Sequence, residues 1–93
     1  MPLPPPGHPY WTLAYVDEGT DLATWLLLFG QGLKGLPKGA NSEISADDPD
    51  GAKAWGMGEV RGFYGLHVSD WEPHDAEPGT THTYWTATPI HTH

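Results

Sequence analysis

The sequence predicts an α+β fold: a small, mainly antiparallel sheet of three or four strands with one short helix packed on it, an all-β arrangement being the alternative. Three observations predict it. Residues alternate with period two in three stretches, one stretch carries apolar residues at helical spacing, and glycine or proline punctuates what lies between. Leu, Ile, Val and Phe make up only 16 of 93 residues and the net charge is −8, a balance that leans towards disorder. Five Trp and four Tyr reverse that reading, because each buries roughly 150–250 Å² and can carry a core.

Residues 1–9 hold five prolines, Pro4, Pro5 and Pro6 in a row, and read as an extended arm. Residues 10–93 then form a single small domain. The first strand is expected over Tyr10–Asp17, with Trp11, Leu13 and Tyr15 on one face and Tyr10, Thr12, Ala14 and Val16 on the other. Leu22, Trp25, Leu26 and Phe29 follow at helical spacing, with Thr20 or Asp21 as cap and Gly30 as stop, so a two-turn helix is expected there. Residues 31–58 carry eight glycines and prolines and read as mostly irregular. Glu59–Trp71 alternates and predicts a strand. Thr81–Thr88 predicts the last one, which Pro89 ends or places at an edge.

Composition narrows the function. Twelve carboxylates face four cations, Lys34, Lys38, Lys53 and Arg61. A nucleic-acid binder must neutralise several phosphates, so direct DNA or RNA binding is not expected. A protein partner with a basic surface fits better. No run approaches the ~20 apolar residues of a membrane span. The N-terminus lacks the charged start and apolar stretch of a signal peptide, so the expected location is the cytoplasm or an assembly built there, such as a virion.

Several motifs suggest chemistry and fall short. Gly30-Gln31-Gly32-Leu33-Lys34-Gly35 spells GxGxxG, but Pro37 and Gly39 forbid the helix that a dinucleotide site needs; a glycine-rich helix exit is the reading. Aligning Gly51 with the glycine of a calcium loop puts Ala46 and Met57 at ligand positions, so that loop fails too. His82, His91 and His93 are the metal candidates, with His67, Asp70 and His74 a looser group, yet neither spacing matches a compact zinc motif. His67, Ser69 and Asp70 contain triad types, but on one strand Asp70 faces away. No cofactor and no catalytic residue is expected.

What remains is an interaction protein. Trp55, in a glycine-rich setting, is the expected exposed anchor, unless it folds back over a sheet face. Asp47, Asp48 and Asp50 supply acidic contacts and Pro4, Pro5 and Pro6 an extended binding rod. The expected build is that of an accessory, assembly or virion-decoration protein, or of a small acidic inhibitor, able to form homo-oligomers. The alternative is a ligand- or metal-binding domain using the Gly/Asp/Trp-rich loop 30–58 or the histidines.

Overall fold

The computed structural model describes residues 10–17, 23–30, 32–64, 67–68, 70–75 and 83–90. The proline arm and His82, His91 and His93 lie outside the described residues.

The fold is α+β. Strands β1 (Trp11–Val16), β2 (Thr24–Phe29), β3 (Leu36–Asn41), β5 (Glu72–His74) and β6 (Tyr84–Ala87) form one antiparallel sheet in the order β3-β2-β1-β6-β5. Helix α1 (Pro49–Tyr64) packs on one face, and the two-residue strands β4 (His67–Val68) and β7 (Pro89–Ile90) pair separately. The sheet thus has five strands where three or four were expected. Among the described residues no helix is long and apolar enough to cross a membrane.

Strand β1 sits where the alternation predicts it, at the centre of the sheet. Trp11 and Leu13 point to α1 and join Leu27, Val60 and Ala87, or Trp25 and Ala52, in the two clusters beneath it. Thr12 and Ala14 point the other way, where Ala14 packs with Leu28 and Tyr84.

Residues 24–29 correct the expected helix: they are a strand, paired residue for residue with β1 from Trp11↔Phe29 to Val16↔Thr24. Trp25, Leu27 and Phe29 face α1, while Leu26 and Leu28 lie on the opposite face of the sheet with Ala14 and Tyr84. A strand apolar on both sides has no period-two signature, and a run of six gives a helical spacing by chance. The GxGxxG segment is therefore no helix exit. It is the turn from β2 to β3, with Gly30 at φ 128°, Gly32 at φ 54° and a 3₁₀ turn over Gly32–Lys34.

The expected irregular stretch 31–58 and the strand expected over 59–71 are both corrected by β3 and α1. Asp48 caps the helix: its Oδ1 accepts from Gly51 N at 3.0 Å and its carbonyl from Ala52 N at 3.2 Å. Pro49 occupies the first helical position, where a missing N–H costs nothing. Asp50 in the first turn and Arg61 in the last suit the dipole. Ala52, Gly56 and Val60 then recur every four residues as one buried stripe. Gly56 is needed small: a Cβ there would stand 3.0 Å from the Trp71 ring and 3.7 Å from Leu13. Trp71, expected at the end of a strand, instead lies across the helix and donates its indole N–H to the Lys53 carbonyl at 3.1 Å. Packing of this stripe, rather than propensity, offsets the cost of four glycines in the helix.

Candidate functional site

Several side-chain and backbone hydrogen bonds converge where α1 begins. Trp25, buried against Leu13 and Ala52, donates its indole N–H to the Ser45 carbonyl at 2.9 Å. The same carbonyl accepts from Asp48 N at 3.0 Å, and Ile44 packs on the cluster around Trp25. These contacts and the Asp48 cap fix the acidic stretch as a firm turn. Asp47, Asp48 and Asp50 are all exposed on it.

Trp85 lies next to that turn. It is half-buried and backed by Trp25, ring centroids 5.7 Å apart and tilted at 44°. Tyr15 meets Trp25 edge-on at 5.4 Å and completes the aromatic group. Lys53, one turn along α1 from Asp50, holds its Nζ 5.1 Å from the Trp85 ring centroid and 3.7 Å from Asp50 Oδ1. Aromatic face, ammonium and carboxylate thus form one surface with the acidic turn. The Asp residues were legible in the sequence, but Trp85 and Lys53 were not singled out as site residues. Only the i, i+3 spacing of Asp50 and Lys53 pointed to part of the group.

Trp55 lies elsewhere. It is half-buried on α1, packs against both clusters beneath the helix, and reaches over β3, where a Cβ on Gly39 would be 3.5 Å from its ring. The ring covers that edge of the sheet, and it is not brought together with Asp47, Asp48 and Asp50.

On the sheet face opposite α1, His74 Nε2 lies 2.7 Å from Thr86 Oγ1, and the imidazole stacks on Tyr84 with centroids 5.1 Å apart. The pair has the residue types of a nucleophile and its base. Thr86 is only 3 % exposed, however, so its hydroxyl is out of reach of a substrate arriving from solvent. Burial pushes the His74 imidazole below its ordinary value, and the Glu72 carboxylate opposes that shift. Unfolding therefore takes up a proton below about pH 6.5, so the His74 contribution is complete above that value and is lost as pH falls through the lower folded value. The melting temperature of the wild type should drop between pH 7 and pH 5 more steeply than that of His74→Gln. Parallel curves over that window would refute the assignment.

Among the described residues no group of three or more His, Asp or Glu side chains is placed to hold a metal ion. His67 and Asp70 of the looser group fall in the segment between α1 and β5. No known family, curated protein or solved structure matches this chain.

Proposed function

We propose that the protein is a non-catalytic interaction module of the accessory, assembly or inhibitor type, and that the acidic turn with Trp85 beside it is the face that engages a basic protein surface. The observation that carries this reading is the display of exposed Asp47, Asp48 and Asp50 on a hydrogen-bonded turn that shares its apolar cluster with a half-buried indole. An aromatic anchor within a charged rim is the common build of an interface hot spot. Fixing the turn through Ser45 and Ile44 lowers the entropy lost on binding. The excess of 12 carboxylates over 4 cations supports the sign of the partner and disfavours nucleic acid. In the same proposal residues 10–93 act as one domain, and the proline arm, with Pro4, Pro5 and Pro6, adds reach for assembly or self-association.

The test compares the wild type with Asp47→Asn/Asp50→Asn, which leaves the Asp48 cap intact. Immobilised wild-type protein should retain a basic partner from its host at 0.1 M salt and release it at 1 M, as the Debye length shrinks from ~10 Å to ~3 Å. The double variant should retain several-fold less. Retention that is indifferent to both salt and substitution would end the proposal.

A further inference from the structure

We propose that the Trp85 face selects arginine over lysine in the basic partner, a guanidinium taking the place that Lys53 holds in the free chain. The inference rests on the acidic docking face proposed above and names the group that it reads. The site already shows how it receives a cation: Lys53 Nζ stands 5.1 Å from the ring centroid with Asp50 Oδ1 3.7 Å away. That occupant is weakly held. Asp50 has a side chain 94 % exposed and Lys53 one 30 % exposed, and ion pairs so open to water contribute at most about 1 kcal/mol. A lysine arriving from a partner would exchange one ammonium for another and gain little.

An arginine gains on three counts. Its planar guanidinium stacks on an indole, sheds water more readily than an ammonium, and presents a fork of N–H donors. The Asp50 carboxylate is almost wholly exposed, so once Lys53 gives up its place both oxygens can meet that fork. Among the described residues the Trp85 indole N–H donates to no protein group, whereas Trp25 and Trp71 spend theirs on Ser45 and Lys53. Trp85 is thus left polar at its edge and backed by Trp25 on the core side, the disposition of an amphipathic recognition ring.

The experiment titrates the full chain with a hexa-arginine and a hexa-lysine peptide of equal charge at 0.1 M salt. Hexa-arginine is expected to bind several-fold more tightly and to shift the Trp85 Nε1–H resonance. Trp85→Leu should bring its affinity down to that of hexa-lysine, and Lys53→Met should raise both affinities while keeping the arginine margin. Equal, salt-sensitive binding of the two peptides would overturn arginine selection alone and leave the acidic face standing. Binding of neither would overturn both. Should Trp85→Leu fail to fold, the wild-type Trp85 resonance decides: unmoved by saturating hexa-arginine, it refutes the site.

Discussion

Trp25→Ala should destabilise the protein by about 3–5 kcal/mol, the range for large aromatic truncations in a packed core. Trp25 is 1 % exposed and is enclosed by Leu13, Ala52, Tyr15 and Trp85. Truncation opens a cavity on the helix-facing side of β2. It also removes the donor to the Ser45 carbonyl, which helps to anchor the acidic turn that precedes α1. The loss therefore reaches beyond apolar area: the turn loosens and the proposed docking face loses its order. Trp85→Ala, at a half-buried ring with no indole hydrogen bond among the described residues, should cost roughly 1–2 kcal/mol. Denaturant titration separates the two, either as a large difference in midpoint or as loss of any cooperative transition in Trp25→Ala. Equal and mild effects would mean that the core does not centre on Trp25.

The contrast between β1 and β2 shows what was legible and what was not. In β1 Trp11 and Leu13 meet the helix on one face, while Thr12 breaks the apolar run on the other and leaves an alternation to read. In β2 apolar side chains fill both faces, so the pattern carries the burial but not the period. Helix α1 was hidden for the opposite reason. Its glycines mark breakers in isolation, and only the packing of Trp71 on Gly56 shows that a missing side chain is what the helix needs there. Asp48-Pro49 was the local signal that would have found its start, a cap followed by a proline at the first helical position. At the site, charge was legible because composition counts it. The meeting of Lys53 with Trp85 was not, since it depends on α1 crossing above β6 and follows from no spacing along the chain.

Gly35→Ala should be the most damaging small substitution, at roughly 2–3 kcal/mol, because the added carbon meets backbone rather than a movable side chain. A Cβ at Gly35 would stand 2.6 Å from the Phe29 carbonyl oxygen and 2.9 Å from its carbonyl carbon. Relief requires the turn to open, and that turn holds β3 against β2 through the pairing that begins at Phe29↔Leu36. Strand β3 is already weakly fastened: it is an edge strand, Leu36 is 70 % exposed, and a register shift opposite Leu27/Leu28 interrupts the ladder. A displaced β3 would also take Gly39 from beneath the Trp55 ring, uncovering one flank of α1. Gly58 provides the control. A Cβ there meets nothing within 4 Å, the residue is exposed and helical, and Gly58→Ala should stabilise by about 0.5–1 kcal/mol through helix propensity alone. Thermal melts of the two alanine variants should therefore move in opposite directions from the wild type. A Gly35→Ala melt at or above the wild-type midpoint would show that the β2–β3 turn has slack that its geometry does not allow.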